Sequence, residues 1–214
     1  MILLLVVLAA GTLDTGPAAF TIGRLKYGGG GDWYANPSSL PNLLGRVGAD
    51  LNIAVAERED VVELMSPDLF RHPFLHATGH GEMRFTDLEA GRLRGFLLRG
   101  GFLHVDDNYG LDASFRREIA RVFPDRALVR LAPGHAIFSR PHAFPGGLPK
   151  IHEHDGAPAQ AFAVLDGERV MVLYTFSCDL GDGWEDERVH NDPPELRDAA
   201  LKMGVNIVAY ALTH

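Results

Sequence analysis

Hydrophobic and polar positions follow two periods over the first two thirds of the chain, one typical of strands and one typical of helices. Short apolar runs predict strands at 20–25, 53–56, 61–64, 74–78, 102–105 and 127–131. Between several of these runs, apolar residues recur at helical spacing. Strands and helices that alternate in this way predict a mostly parallel sheet covered by helices on both faces.

Cap residues and glycines predict where the helices begin and end. The serines at 38–39 are suited to begin one helix, and Thr86 with Glu89 forms a capping box for a second. The apolar face predicted for this second helix comprises Leu88, Leu93, Phe96 and Leu97. The glycines at 100–101 end it, and a further helix is predicted over 114–122.

The pattern changes in the last third of the chain. Two strand-like runs, 162–165 and 169–174, flank Asp166-Gly167, which is a composition typical of a tight hairpin turn. A polar loop is predicted over 177–192, and Asp192 is expected to cap a long helix with prolines in its first turn. The predicted fold class is therefore an α/β three-layer sandwich with a C-terminal hairpin and a long C-terminal helix.

The first ten residues, MILLLVVLAA, are nearly all apolar, and small residues suited to signal peptidase cleavage follow at Ala18 and Ala19. A run of this length is short for a membrane span and suits a signal peptide, although no Lys or Arg precedes it. The alternative is that residues 2–8 form the first buried strand. We expect a signal peptide over 1–19 and one domain over 20–214. The protein would then be exported, periplasmic or extracellular, and would contact a membrane only through an uncleaved signal segment.

Charge and cysteine content exclude several classes of protein. The formal net charge of −8 and the absence of a basic stripe argue against a nucleic-acid partner. A single cysteine, Cys178, excludes an internal disulfide framework and a cysteine-rich zinc site. Because the preceding strand should bury this thiol, we expect it to be inert.

Polar clusters follow three of the predicted strands, namely a glycine loop at 28–31, the sequence GHG at 79–81 and DDNYG at 106–110. In open α/β sheets, ligands bind outside the carboxyl ends of the strands. We therefore predict ligand-binding residues at this edge of the sheet: Gly30, Gly31, Asp32, Trp33, Asn108 and Tyr109. Backbone N–H groups of the glycine loop are suited to an anion. The alternative is a tight turn that lets Trp33 and Tyr34 fold over the sheet.

His80 and Asp107 are the candidate catalytic residues. His80 lies between two glycines at a strand end, which favours an exposed imidazole acting as a base or metal ligand. The alternative is a histidine that caps backbone groups in a turn. Asp106 and Asp107 are adjacent and would point to opposite faces of a strand, so we expect Asp107 in the pocket and Asp106 bonded to turn amides or capping the next helix.

His152 and His154 are candidate ligands of a divalent metal ion. In an extended segment the two imidazoles share one face, and with a distant carboxylate they would suit zinc or a similar ion. The alternative, weighted slightly higher, is a hydrogen-bonded polar loop that holds the C-terminal third against the sheet. The sequence does not match the H-E-x-x-H helix motif.

A second acidic segment lies further along the chain. It carries four carboxylates in a glycine-rich loop: Asp179, Asp182, Glu185 and Asp186. Their spacing does not fit an EF-hand, so the sequence favours a solvated acidic loop that packs Trp184 over a calcium site.

Several motifs, in one order, resemble the bacterial family known as domain of unknown function 4159. The motifs are LKYGGGGDWY (25–34), TGHG (78–81), SFRRE (114–118), LPKIHEHDG (148–156), DLGDGWED (179–186) and MGVNIV (203–208). The resemblance covers essentially all of residues 20–214.

That family is similar to the class I glutamine-amidotransferase-like superfold, near the ThuA-like proteins, and so implies a flavodoxin-like sandwich. Residues 97–105 resemble the helix, glycines and strand before the nucleophile elbow of that superfold. The cysteine position of an amidotransferase falls near Asp107 or Asn108, and no cysteine is there. Without a thiolate, thioester chemistry for glutamine hydrolysis is lost.

Two functions follow as hypotheses. The first is an exported, non-catalytic module of the cell envelope that binds a small molecule or an envelope protein. The alternative is a metal- or carboxylate-dependent hydrolase acting on a small polar or carbohydrate-like substrate. A hydrolase requires His80, Asp107 and His152 or His154 in one pocket, whereas a binding module requires only a suitable concave surface.

Overall fold

Seven strands form one mixed sheet in the computed structural model, which describes residues 19–153 and 156–214. In chain order the strands are β1 Gly23–Leu25, β2 Asp60–Val62, β3 Phe74–Ala77, β4 Phe102–Asp106, β5 Val129–Arg130, β6 Gln160–Asp166 and β7 Arg169–Phe176. Their order across the sheet is β2-β1-β3-β4-β7-β6-β5. The first five strands in this order are parallel, whereas β6 pairs antiparallel with both β7 and β5.

Helices cover both faces of the sheet. They are α1 Ser39–Leu51, α2 Asp87–Leu98, α3 Asp112–Val122, α4 Leu180–Trp184, α5 Glu187–His190 and α6 Pro194–Thr213. Helices α1, α4 and α6 pack together on one face, and α2 packs with α3 on the other. Because successive strand residues point to opposite faces, Phe74 and Phe102 join the first core and Leu75 and Leu103 the second. The α/β three-layer architecture is therefore confirmed.

The capping box predicted at Thr86 is present. The Thr86 hydroxyl accepts a hydrogen bond from the Glu89 backbone N–H at 3.2 Å, and the Glu89 carboxylate accepts one from Thr86 N at 2.8 Å. Helix α2 then ends at two glycines, as expected. Gly100 has a φ of +103°, and a Cβ on Gly101 would lie 2.4 Å from the Phe96 ring, so both positions require glycine.

The hairpin and the long C-terminal helix are also confirmed, with β6 and β7 joined around Asp166 and Gly167 and α6 running for 20 residues. Helix α6 begins at Pro194, however, and Asp192 makes no capping bond to it. The carboxylate of Asp192 instead lies 2.8 Å from His152 Nε2. A prediction of capping was wrong here because a tertiary partner competes for the same side chain.

Four further expectations need correction. Residues 53–56 contain a single isolated bridge, Val55 to Phe20, rather than a strand. The region 177–192 is not one open loop, because it contains α4 and α5. Leu88 is 74% exposed and does not belong to the apolar face of α2. The serine predicted as a cap for α1, Ser38, makes no capping bond and contacts Glu185 instead.

The first 18 residues, on which the predicted signal peptide depends, lie outside the described residues. Within the described ranges, every helix is too short or too polar to traverse a bilayer.

Candidate functional site

The parallel strands β1, β3, β4 and β7 all end at the same edge of the sheet. The glycine loop, the 78–81 turn, the 106–110 turn and the segment from Ser177 follow these ends directly. The polar clusters that the sequence places after separate strands therefore meet at one edge, where α/β folds commonly bind ligands.

Asp106 ends β4 and is completely buried. Its Oδ2 accepts a hydrogen bond from Gly181 N at 2.7 Å, and its Oδ1 is bonded to Thr175 Oγ1. The pKa of Asp106 is raised to about 7, mainly by burial and also by the nearby charges of Asp179 and Asp182, against the lowering effect of the two hydrogen bonds. This carboxylate thus changes its charge near neutral pH without contact with solvent.

Asp107 is 3% exposed and its Oδ1 accepts a hydrogen bond from Leu111 N at 2.9 Å. Burial is the main reason that the pKa of Asp107 is raised. Asp107 also lines a cavity of about 400 Å³ between the ends of β4 and β7. The cavity walls comprise Asp107, Tyr109, Gly110, Asp112, Phe176, Ser177 and Asp179. Asp107 lines the cavity, but it is also Asp107, and not Asp106 as expected, that bonds the N-cap residue of α3, whereas Asp106 bonds an amide of α4.

His80 follows β3 and its side chain is 55% exposed. Its Nδ1 lies 2.9 Å from Asp32 Oδ2, and its backbone N–H also donates to Asp32. Burial would raise the pKa of Asp32, but the hydrogen bonds to His80 outweigh it and the net pKa is lowered. These bonds hold the glycine loop against the 78–81 turn. The approach requires glycine at position 31, because a Cβ there would lie 2.7 Å from the His80 carbonyl oxygen.

The other predicted ligand-binding residues are spread along this edge. Gly30 is exposed with a φ of +91°, and Trp33 packs edge-to-face on Tyr34 at 5.5 Å. Asn108 is buried and donates to Asn36 Oδ1 at 3.3 Å, whereas Tyr109 is 55% exposed at the cavity mouth. Trp33 lines a separate groove beside β2, so the structure divides the predicted residues between two concavities.

His152 belongs to a partly buried group that we call the His152 cluster. The cluster consists of His152, Asp182, Glu185, His190 and Asp192. His152 Nδ1 lies 3.0 Å from Asp182 Oδ2, and its Nε2 lies 2.8 Å from Asp192 Oδ1. His190 Nε2 lies 3.0 Å from Glu185 Oε2. Imidazoles and carboxylates in such proximity are the donors that divalent ions use in proteins.

The electrostatic surroundings of His152 favour a positive charge. Burial alone would lower the pKa of His152, but its hydrogen bond to Asp192 and the charges of Asp192, Asp182 and Asp179 outweigh burial, and the net pKa is raised. Carboxylate oxygens therefore surround the His152 imidazole and favour a positive charge there.

His154, the second predicted metal ligand, lies outside the described residues. The histidine that the described structure brings to His152 is His190, with ring centroids 5.1 Å apart. Sequence reasoning treated His190 only as a neighbour of the acidic loop. The 37 residues between the two histidines match no ligand motif, so spacing gave no signal.

Three of the four carboxylates of the acidic loop are buried, contrary to the expectation of a solvated loop, and Asp186 alone of the four is exposed. Asp179 is fully buried, and Asp182 and Glu185 are 8% and 4% exposed. Trp184 is buried as expected, and its indole N–H donates to Ala200 O at 2.8 Å. Packing this tryptophan under α6 draws the neighbouring carboxylates inward with it.

Cys178 is completely buried, 3.8 Å from Asp106 Oδ1. Burial raises the pKa of its thiol well above the usual range, and the charges of Asp106 and Asp179 act in the same direction. The expectation of a buried cysteine is confirmed, and its surroundings oppose a thiolate.

Comparison with known proteins assigns a family but no activity. A family model described as "Domain of unknown function (DUF4159)" matches residues 21–212. None of the curated proteins matches the chain. The function must therefore be argued from the chemistry of the strand-end site.

Proposed function

The chain belongs to the DUF4159 family, and we propose that it is an exported ligand-binding module of the cell envelope. Its ligand is a small compound with a positively charged group, bound in the cavity at the ends of β4 and β7. The observation that carries this proposal is the composition of the cavity wall. Export rests on the apolar N-terminal sequence alone.

The cavity has the size and position of a small-molecule site. Its volume of about 400 Å³ falls within the range of roughly 300–1,000 Å³ that is usual for such sites. It lies outside the carboxyl ends of two adjacent parallel strands, where open α/β sheets bind ligands. These two features favour a small ligand over a protein partner.

The chemistry of the wall favours a cation. Three of its seven residues are aspartates, and none is lysine or arginine. Asp112 pairs with Arg116 at 2.6 Å, and Asp107 and Asp179 are the other two acidic groups of the wall. Phe176 and Tyr109 add aromatic surface, on which an ammonium group is attracted to the ring face. A primary amine whose remaining atoms are apolar or hydroxylated would match both the acidic groups and the aromatic surface of the wall.

The parallel strand order supports assignment to the flavodoxin-like class. Taken without the antiparallel strands, the order β2-β1-β3-β4-β7 corresponds to the flavodoxin-like order 2-1-3-4-5. This supports the amidotransferase-like, ThuA-like superfold, with Asp107 and Asn108 after the strand where an amidotransferase has its cysteine. The buried Cys178 is unsuited to replace that nucleophile.

Contacts within the site favour binding over hydrolysis. A hydrolase would need His80, Asp107 and His152 to act on one substrate. Among the described residues, His80 pairs with Asp32, Asp107 bonds Leu111 N, and His152 contacts acidic residues of the C-terminal third. No hydrogen bond or ion pair described for these three joins any two of them.

The test compares amines with neutral counterparts of nearly the same shape. Tyramine is compared with 4-ethylphenol and glucosamine with glucose, by thermal denaturation and titration calorimetry on the full chain. We expect at least one amine to raise the melting temperature and its counterpart to have no effect. Neither amine exceeding its counterpart would contradict a cation site.

A pair of variants assigns the binding to this cavity. Asp107→Asn keeps the oxygen that accepts from Leu111 N but removes the charge, so we expect weaker amine binding with little loss of stability. Asp166→Asn, in the hairpin turn away from the cavity, is the matched control and should bind like the wild type.

A further inference from the structure

We propose that the His152 cluster binds one divalent transition-metal ion through His152 Nδ1, a carboxylate oxygen of Asp182 and His190 Nε2. This site is distinct from the amine cavity and does not depend on the cavity's ligand. The argument rests on ligand geometry, on the groups that orient the ligands and on uncompensated buried charge.

The three donor atoms are already close enough to share an ion. One ligand atom from each of His152, Asp182 and His190 lies within 4.8 Å of the others. His152 Nδ1 is 3.0 Å from Asp182 Oδ2, and His190 Nε2 is 3.8 Å from Asp182 Oδ1. Bonds of about 2.0–2.1 Å at tetrahedral angles separate neighbouring ligand atoms by roughly 3.4 Å. These two pairs use different oxygens of the Asp182 carboxylate, and each differs from that separation by a few tenths of an ångström.

Each of two ligands is also held by a group behind it. With Nδ1 on the metal, the other ring nitrogen of His152 donates to Asp192 Oδ1 at 2.8 Å. Metal-binding histidines commonly have such a carboxylate behind them, because it fixes the tautomer and increases the basicity of the ligand nitrogen. Asp182 is oriented by Asn36, whose Nδ2 donates to its Oδ1 at 2.7 Å.

Buried charge provides a separate argument. The side chains of Asp182, Glu185 and Asp192 are 10%, 5% and 8% exposed. Among the described residues, their ion-pair partners are His152 and His190; Arg197 donates to the Glu185 backbone carbonyl at 2.6 Å but forms no ion pair with these carboxylates. Even with both imidazoles protonated, three carboxylates leave the cluster negative. A divalent cation would offset charge that is costly to bury unpaired.

One oxygen of the cluster has no donor. Within the described ranges, Asp192 Oδ2 is buried and makes no hydrogen bond, whereas Oδ1 of the same carboxylate contacts His152. A buried acceptor left unsatisfied is unfavourable by about 1–3 kcal/mol. Because Asp192 contacts His152 at Nε2, this oxygen lies behind the ligand nitrogen Nδ1 and adds negative charge to the surroundings of the site.

The donor set selects the class of metal. Calcium and magnesium prefer oxygen ligands alone, whereas two imidazoles with one carboxylate suit zinc, cobalt, nickel or manganese. The ion would adjoin the amine cavity, because Asp179 lines that cavity and its Oδ2 lies 3.8 Å from His152 Nδ1.

The test is a calorimetric titration of the chelator-treated full chain with ZnCl₂, repeated with CoCl₂ in an absorption spectrometer. We expect one zinc ion per chain and a Co²⁺ spectrum of the intense kind that four- or five-coordinate sites give. Calcium chloride should not compete. His190→Gln and Asp182→Asn should each weaken zinc binding by about tenfold or more.

His142→Gln is the matched control. His142 also pairs with a carboxylate, Asp50, at 2.8 Å and is 24% exposed, close to the 22% and 29% of His152 and His190. It should bind zinc like the wild type. Circular dichroism shows which variants are folded. If both cluster variants are unfolded, the Co²⁺ spectrum of the wild type alone tests the proposed site. Absence of stoichiometric zinc binding or of a Co²⁺ spectrum in the wild type would overturn the proposal, as would unchanged affinity in both folded cluster variants.

Discussion

His76 and His104 are cross-strand neighbours on β3 and β4, and their Nδ1 atoms lie 3.1 Å apart against Trp184. Both imidazoles are completely buried, and burial lowers the pKa of each, to about 3 for His104. Two neutral rings can share this contact only if one nitrogen donates and the other accepts. The bonds continue from His104 Nε2 to Thr175 Oγ1 at 3.0 Å and then to Asp106.

The charge of Asp106 determines which group donates and which accepts in each hydrogen bond of this series, from Asp106 to His76. When Asp106 is ionised it can only accept, so Thr175 donates to it, His104 Nε2–H donates to Thr175, and His76 Nδ1–H donates to His104. When Asp106 is protonated and donates to Thr175, the Thr175 hydroxyl can donate to His104 Nε2 or to Val105 O at 3.3 Å. In the arrangement in which it donates to His104, each of these donors becomes an acceptor. The chain therefore has two arrangements, which are distinguished by the tautomer of His104.

The first prediction concerns that tautomer. Because the pKa of Asp106 is raised to about 7, we expect His104 to carry its proton on Nδ1 at pH 5 and on Nε2 at pH 9. Long-range ¹⁵N–¹H correlation spectra of the chelator-treated protein distinguish the two forms. In Asp106→Asn the amide must donate to Thr175 while its oxygen accepts from Gly181, so His104 should remain in the low-pH form throughout. A tautomer independent of pH in the wild type would refute the coupling.

The second prediction concerns stability. A carboxyl group with a raised pKa in the folded state binds its proton more tightly there, so its stabilising contribution is complete below pH 4 and disappears as the pH rises to about 7. Relative to Asp106→Asn, the metal-free wild type should lose up to about 1.4 kcal/mol of unfolding free energy per pH unit in this window. Urea unfolding of both proteins at pH 5, 6 and 8 gives this difference directly. The pH-dependent contribution of the buried histidines cancels in the comparison because both proteins contain them. A difference that does not change with pH would count against a raised pKa.

Local sequence patterns predicted the framework of the site well. The short apolar runs before Thr78 and Asp106 identified β3 and β4, and their polar ends do meet at one edge. Apolar periodicity works here because strand burial is decided within a few residues. The capping box at Thr86 is equally local and was equally predictable.

The environment of the carboxylates was not predictable, because it depends on distant residues. Asp182 is held by Asn36, 146 positions earlier, and Glu185 contacts Ser38, 147 positions earlier. A run of aspartates and glycines looks solvated when only its own composition is considered. The indication to the contrary was Trp184, whose burial requires its neighbours to enter the interior as well.

The third prediction tests the capping box. Thr86→Ala removes the side-chain oxygen that accepts from Glu89 N at 3.2 Å, so we expect a loss of about 1 kcal/mol in the free energy of unfolding. Chemical denaturation gives the value. Thr213→Ala, at the last residue of α6, is the control and should change stability much less, since that hydroxyl bonds carbonyls of its own helix end. Equal effects of the two variants would mean that the box contributes nothing specific.

Glu118 on α3 provides a fourth prediction, of opposite sign to that for Asp106. Its carboxylate is 2% exposed, accepts from Phe85 N at 3.0 Å and Arg117 Nε at 3.1 Å, and also pairs with Arg121. Burial would raise the pKa of Glu118, but these bonds outweigh it and the net pKa is lowered. Its stabilising contribution is thus present above the unfolded-state pKa and is lost as the pH falls through the folded-state value.

Glu118→Gln keeps an oxygen for Phe85 N but loses the charge that both arginines contact. We therefore expect a loss of about 1–3 kcal/mol at pH 7 that shrinks below pH 4, measured by urea unfolding. The control is Glu63→Gln, whose partner Lys26 is exposed, and which should have an effect near zero.

A comparison of Asp106→Asn with Glu118→Gln then distinguishes a buried carboxylate that is stabilised when protonated from one that is stabilised when charged. The first variant should improve relative to the wild type as the pH rises, and the second should worsen, because only Glu118 has cations beside it. If both variants showed the same pH slope, the pairing of Glu118 with its arginines would not be what stabilises its charged form.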